Sequence, residues 1–540
     1  MEEAENEIKE RKSNLKKICT SWIKDNYDKV FIVILILAFI IRFWIFLKTM
    51  NQPLWWDTAS YLATAKQWGL GLNVNSVWYF RRGFLWALIP AIFFKLGLGE
   101  TGIRFATVLF STGIVAVSYF LIRDMFSKKI ALFTSLIMTF SWVYLFFAGR
   151  PMTSTPASFF ILLSLFFFWK GYVQKKGNKF IYLFGLFFAL SVLTRMQYLM
   201  FAPVFAIYVF TKEKFKLFKN KHLWIAVIIF SLTFLPHAIL YSQHFGNFLL
   251  DMLTYYVRIP GLTQPGSISP IAKADIHLFK FITDLPYALS KPIFALFFIG
   301  LFCYFIDMFL GIDKIFKNPE VQKKIFIFFW LLIPLLVLGY MSPYPQQRYL
   351  MPLYPFLFAI AVIPLFKVGD LFKSKSKAKD IIIFALVLLL VTYPTFSLVQ
   401  NSQSNLAWAN SLIDNKINSY GEVMQAGIWM KENSETGDIV ISESYPQTAY
   451  YSERSTFAFS GKGNPELHVE QNEEEFNEFI KLNKPKYMMI SIFQVHPEWV
   501  YTYPEKHQEL LVPVQVYSQG EQPVLVIYTF NYSLEEVSLV

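Results

Sequence analysis

Apolar residues in this chain come in long blocks separated by short polar stretches. A helix rises about 1.5 Å per residue, so about 20 apolar residues cross the hydrocarbon of a bilayer. Such blocks fall near 30–48, 101–122, 130–148, 157–170, 180–194, 196–211, 223–241, 292–311, 325–341, 349–366 and 381–399. They predict an all-α polytopic membrane domain of about eleven transmembrane helices over residues 30–400. The stretch 83–97 (GFLWALIPAIFFKLG) is also apolar, but it is short and contains Pro90 and Lys95. It reads as a helix lying at the outer interface. After residue 404 the pattern changes. GDIVISE, KYMMISIF and PVLVIYTF are strand-like, whereas GEVMQAGIWMKENSE and EEEFNEFIKLN are helix-like. This alternation predicts a small α/β domain over 405–540.

Charge orients the blocks. Residues 1–404 hold 42 Lys and Arg against 19 Asp and Glu, and residues 405–540 hold 8 against 19. The net charges are therefore +23 and −11. The basic residues cluster in the 1–29 tail and in alternate loops, near 123–129, 170–179, 212–221, 314–324 and 367–379. That is how cytoplasmic loops read. The other loops, with a first outer loop at 49–100 and a large one at 242–291, then face outward. So does the α/β domain. A multi-pass cell-membrane protein with a cytoplasmic N-terminus is expected. With 55% hydrophobic and 16% charged residues, an ordinary soluble enzyme is excluded. No continuous basic face is seen, so nucleic acid is not expected as a partner. Cys19 and Cys303 are the only cysteines and form no C-x-x-C pair, so no zinc knuckle or redox pair is read.

Ionisable residues at a membrane face are functional candidates because burying them is costly. Asp57 follows two tryptophans and opens a helix-like run (TASYLATAKQW). Locally, its simplest role is to cap that helix. A cap also fixes a carboxylate in place, so a chemical role is compatible with it. Tyr61, Arg82, Glu100 and Arg104 share the first outer region. Arg150, Arg195 and Arg348 fall at the outer ends of later blocks. Arginine suits bidentate contact with phosphate. His237 and His244 lie seven apart, a poor spacing for one metal on a helix face. No nucleotide cradle or serine elbow is read.

The order of several motifs carries a resemblance. WWDTASYLATAKQW, RRGFLWALIPAIFFKLGLGETGIRFATVLFS, AGRPMTSTPASFF, LTRMQYLMFAP, QQRYLMPLYPFLFAI and the tail segment WMKENSETGDIVISESYPQTAYYSERS together resemble GT-C glycosyltransferases. The similar branch holds the protein O-mannosyltransferases and lipid A aminoarabinose transferases. The resemblance implies transfer of one sugar from a polyprenyl phosphate, dolichyl or undecaprenyl, to an extracytoplasmic protein, glycan or lipid. It implies Asp57 as base and Arg82, Arg150, Arg195 and Arg348 as contacts of the donor phosphate. Glu100, Arg104 and Tyr61 are candidate supports. No cofactor or required metal is expected, since arginines can balance a single phosphate. Many relatives carry a second acid. Here Ser154 stands where an Asp often follows Met-Thr, which leaves Glu100, Asp251, Asp275 or Asp284 as possible assistants. Oligosaccharyltransferases also carry a WWD triplet, but in their C-terminal domain. The competing classes are a transporter or lipid flippase and a glycan-binding receptor. A transporter would place charges near the bilayer midplane, whereas the blocks carry charge chiefly at their inner ends.

Overall fold

The structure, a computed structural model, describes residues 25–74, 82–248, 279–312, 315–341, 346–371, 381–383, 385–388, 405–459 and 472–534. The expected 381–399 span, the centre of the 242–291 loop, Asp251 and Asp275 lie largely or wholly outside them. The helices of the first part are α1 (Asn26–Thr49), α2 (Trp56–Leu70), α3 (Leu85–Lys95), α4 (Gly99–Met125), α5 (Lys128–Phe140), α6 (Trp142–Phe146), α7 (Ser154–Phe168) and α8 (Asn178–Thr194). They continue with α9 (Ala202–Glu213), α10 (Lys221–Phe245), α11 (Lys291–Leu310), α12 (Pro319–Met341) and α13 (Tyr354–Leu371).

Among the described residues, six helices are long and apolar enough to cross a membrane: α1, α4, α7 with its π-helical extension to Val173, α10, α11 and α12. The chain is a multi-pass membrane protein. Apolar side chains of α10, such as Val227, Ile228 and Leu232, stand half or more exposed, as lipid-facing residues do. The short stretch at 83–97 forms α3, an 11-residue helix containing Pro90, too short to cross.

Some expected spans are broken. The 130–148 block divides at Ser141, which is extended between α5 and α6. The 196–211 block begins as a 3-10 turn, Met196–Phe201, before α9. The first break has a partner that the apolar pattern hides. Arg42, fully buried in the middle of α1, donates to the Met138 and Thr139 carbonyls at 3.1 and 3.4 Å. These belong to the last turn of α5, whose carbonyls have no intrahelical donor. Its remaining bonds go to Ala38 O and Ser111 Oγ. Arg42 therefore corrects the expectation of blocks charged chiefly at their inner ends. It is bound up in a helix terminus rather than lining a path.

The tail domain holds α14 (Asn405–Lys416), α15 (Gly421–Glu432), β1 (Ile439–Ser442), α16 (Tyr445–Ser452), β2 (Ser455–Phe457), α17 (Glu473–Asn483), β3 (Tyr487–Ser491), α18 (Glu498–Lys506), β4 (Leu511–Gln519) and β5 (Gln522–Phe530). The sheet order is β2-β1-β3-β5-β4. β1 runs parallel to both of its neighbours, and β5 antiparallel to β3 and β4. Three strands match the sequence expectation. β2 and β4 were not expected. β4 is an edge strand carrying Pro513, as edges allow. Helix α16 docks this domain on α2. Ala449 and Tyr450 join one apolar cluster with Leu54, Ala59, Leu62, Ala63, Trp86 and Ala87.

Candidate functional site

Asp57 lies in the first turn of α2, but it does not cap it. The cap residue is Trp55, which makes no side-chain cap bond. The carboxylate points to two arginines instead. Oδ1 accepts from Arg82 Nη2 at 3.2 Å, and Oδ2 accepts from Arg348 Nη2 at 3.0 Å. The local cap reading is thereby corrected: the side chain is held by charges distant in sequence.

Each arginine arrives from a different element. Arg82 precedes α3 and is fixed by its neighbour. A Cβ on Gly83 would stand 1.8 Å from the Leu193 carbonyl oxygen, so only glycine permits this approach. The contact pins the Arg82 segment to the end of α8, where Arg195 begins. Arg195 is extended after α8. Its Nη1 donates to Ser154 Oγ at 2.9 Å, and its Nε to Gln197 Oε1 at 2.8 Å. Arg348 sits in the 3-10 turn Gln347–Leu350 and is buried, with Nη1 on Met152 Sδ. The Tyr349 ring lies under both of these guanidiniums, 4.3 Å from Arg195 Cζ and 5.4 Å from Arg348 Cζ. Tyr61, one turn beyond Asp57, lies 5.3 Å below Arg82 Cζ.

Gly83→Ala is expected to lower both stability and activity. Overpacking of this kind costs about 1–3 kcal/mol, and here the obstacle is backbone. Thermal melting and turnover of the variant measure the two effects.

Electrostatics favour an anion here. Among the described residues, three guanidiniums face the single carboxylate of Asp57. Burial works to raise the Asp57 pKa, but Arg82, Arg348 and Arg195 outweigh it and hold the carboxyl below its ordinary 3.8. Yet 42% of its side-chain surface is accessible, so it lines a space rather than filling one. Ser154 accepts a bond from Arg195 where an Asp would have neutralised it.

The other sequence candidates stand apart. Arg150 lies over the Trp55 and Phe146 rings, at 4.3 and 3.6 Å, with Nε on Gln52 Oε1 at 3.1 Å. It is not among the main groups acting on Asp57. Arg104 donates to the carbonyls of Thr49, Gln52 and Gly149 and pairs with Glu100. It ties the end of α1 to the following loop. The second oxygen of Glu100 accepts from Tyr450 OH at 2.6 Å, so Glu100 faces the tail domain. Asp284 pairs with Lys280 at 3.0 Å.

His237 is buried against Phe84, Phe234 and Phe248. Among the described residues, no three His, Cys, Asp or Glu side chains group as metal ligands. Residues 97–102 (GLGETG) spell G-x-G-x-x-G. They join helix α3 to helix α4, without the strand that a dinucleotide cradle requires.

Residues 81–240 match the family model of dolichyl-phosphate-mannose-protein mannosyltransferase. That segment carries Arg82, Arg150 and Arg195. No curated protein gives a significant sequence match. Among solved structures, ArnT from Cupriavidus metallidurans bound to undecaprenyl phosphate is similar, with a TM-score of 0.60 and 14% identity, over 94% of this chain and 98% of that one. The oligosaccharyltransferase AglB from Archaeoglobus fulgidus, in complex with an inhibitory peptide and a dolichol-phosphate, gives 0.60 and 13%, over 95% and 76%. The arabinofuranosyltransferase AftD from Mycobacteria gives 0.52 and 12%, over 93% and 40%. The matched segment resembles that mannosyltransferase family, and the chain shares the fold of these solved glycosyltransferases.

Proposed function

We propose that this protein transfers one sugar from a polyprenyl phosphate to an acceptor on the extracytoplasmic side, with its N-terminus in the cytoplasm. The observation that carries this reading is the arginine cluster. Arg82, Arg195 and Arg348 surround one accessible carboxylate. Their excess of two positive charges, among the described residues, suits a lipid-linked phosphate.

The reaction divides between these groups. An acceptor hydroxyl or amine attacks the anomeric carbon while Asp57 takes its proton. The bond from the anomeric carbon to the phosphate oxygen breaks, and its electron pair leaves with the polyprenyl phosphate. That product carries more negative charge than the glycosyl diester. Preorganised arginines therefore stabilise the transition state more than the bound donor, which is what accelerates a reaction. They fill the place a divalent metal takes at many sugar diphosphates, so we assign no metal here. Protein, glycan and lipid acceptors all remain compatible, and so do hexosyl and pentosyl donors.

The test is sugar release from a radiolabelled panel of polyprenyl-phosphate monosaccharides by the purified protein with a membrane acceptor extract. Transfer from one donor is expected. Absence of both transfer from and binding of every donor would overturn the reading. The pH profile adds a second check. Asp57 is held below 3.8, so kcat/KM should show no acid limb from it above about pH 4. Arg82→Gln removes one lowering charge and should move that limb to higher pH.

A further inference from the structure

Beneath the loop that carries Asp57 lies a second concentration of positive charge that the transfer reaction does not use. Arg150 is 4% exposed. Its Nε is satisfied by Gln52, but Nη1 and Nη2 are buried with no hydrogen-bond partner, and so is Trp55 Nε1. Each Nη carries two hydrogens and the indole one, so five N–H donors lack an acceptor. Beside them is a small cavity of about 10 Å³ lined by Gln52, Trp55, Thr58, Arg104, Arg150 and Pro151, with Pro53 and Leu54.

Charge is unbalanced there too. Arg104 is paired with Glu100, and among the described residues Arg150 meets the Trp55 and Phe146 rings and Gln52 but no carboxylate. A buried arginine without a counter-ion is strongly destabilising.

From this arrangement we propose that the cavity binds a single small monovalent anion, of which chloride is the natural example, held by the N–H groups of Arg150 and Trp55 at the edge of their stacked pair. Size selects against the alternatives. The space is small, about 10 Å³, which favours a single-atom ion over a bulkier phosphate or carboxylate. The donor set selects against water as well. Water accepts two hydrogen bonds and must place two of its own, whereas a halide accepts from several donors and neutralises the charge. Because Trp55 caps α2 two residues before Asp57, the ion would tie the 149–153 loop to the start of that helix.

The experiment is thermal melting of the full-length protein in detergent, titrating chloride or bromide into gluconate at constant ionic strength. Wild type should gain a saturable rise in Tm of several degrees with either halide and none with sulfate. Arg150→Met should flatten the response, and Trp55→Phe should weaken it. Crystals soaked in bromide should show anomalous density between Arg150 and Trp55, which decides the matter if Arg150→Met fails to fold. Equal melting in chloride and gluconate, or density without anomalous signal, overturns the proposal, since a bound water would then suffice.

Discussion

Asp57→Asn is expected to abolish sugar transfer while tightening the binding of polyprenyl phosphate. The two effects have one cause. Asparagine keeps the shape of aspartate but neither accepts the acceptor's proton nor neutralises arginine. General-base catalysis is typically worth about 10²–10⁴-fold, so the rate should fall by at least that range. Binding moves the other way. Arg82 and Arg348 each spend an Nη2 on the carboxylate. A hydrogen bond to a charged group is worth about 1.5–3 kcal/mol. Release of one such donor to the phosphate corresponds to on the order of tenfold in affinity. Arg195 needs no release, because its partners are neutral. The measurement is a pair of assays on one preparation: transfer from the labelled donor, and direct binding of polyprenyl phosphate. Equal transfer by variant and wild type would remove Asp57 from the chemistry. Loss of both transfer and binding would mean that the carboxylate chiefly holds the arginines in place. A transporter has no reason to show the opposed changes.

The same pairing shows why part of the site was legible in the sequence. Asp57, Arg82, Arg195 and Arg348 are polar exceptions at the ends of apolar blocks. Such exceptions persist only where something compensates their cost. The structure brings these four together. Arg150 and Arg104 have the same local signature and different partners. Arg104 is consumed by backbone carbonyls, whereas Arg150 stacks on aromatic rings. Sequence position locates a guanidinium within a turn or so, but what it meets depends on the packing of loops hundreds of residues apart.

Fold legibility has a similar limit. Average hydropathy finds the long helices α1, α4, α10 and α12, whose windows stay apolar throughout. It misses the interruption at Ser141, because no proline or glycine marks it; its stabiliser, Arg42, is in another helix. Arg42 is itself hidden among the isoleucines and phenylalanines around it. In the tail domain, β5 was visible as PVLVIYTF. Its partner β4 was not, since Pro513 and the exposed Val512, Val514 and Val516 give an edge strand little buried pattern.

Glu453→Gln is expected to lower both Tm and turnover while leaving the KM for the donor nearly unchanged. Glu453 closes a latch between the tail domain and α2. Its Oε1 accepts from Lys66 at 2.9 Å and its Oε2 from Lys431 at 2.8 Å. Lys66 also donates to Tyr450 O at 3.0 Å and lies 4.0 Å above the Tyr450 ring. Burial depresses the Lys66 pKa, and Glu453 is the main group restoring it. Removing one partner of a fully buried pair costs about 3–5 kcal/mol. With side chains 13% and 16% exposed, about 2–3 kcal/mol is expected after allowing for solvent screening.

The loss should reach the chemistry, because the latch continues inward. Tyr450 OH donates to Glu100, Glu100 holds Arg104, and Arg104 binds the Thr49 and Gln52 carbonyls just before Asp57. Tyr451 OH accepts from the Leu54 amide at 2.7 Å. The arginines proposed to bind the donor come from other elements, hence the split between kcat and KM. The pH dependence has a definite sign. Burial opposes ionisation of Glu453, but Lys431 and Lys66 hold its pKa below 4.5. The stabilisation is therefore present above that value and lost as pH falls through the lower folded one. Glu453→Asp should recover part of the effect. A raised donor KM with unchanged Tm would contradict the latch and place Glu453 in contact with substrate instead.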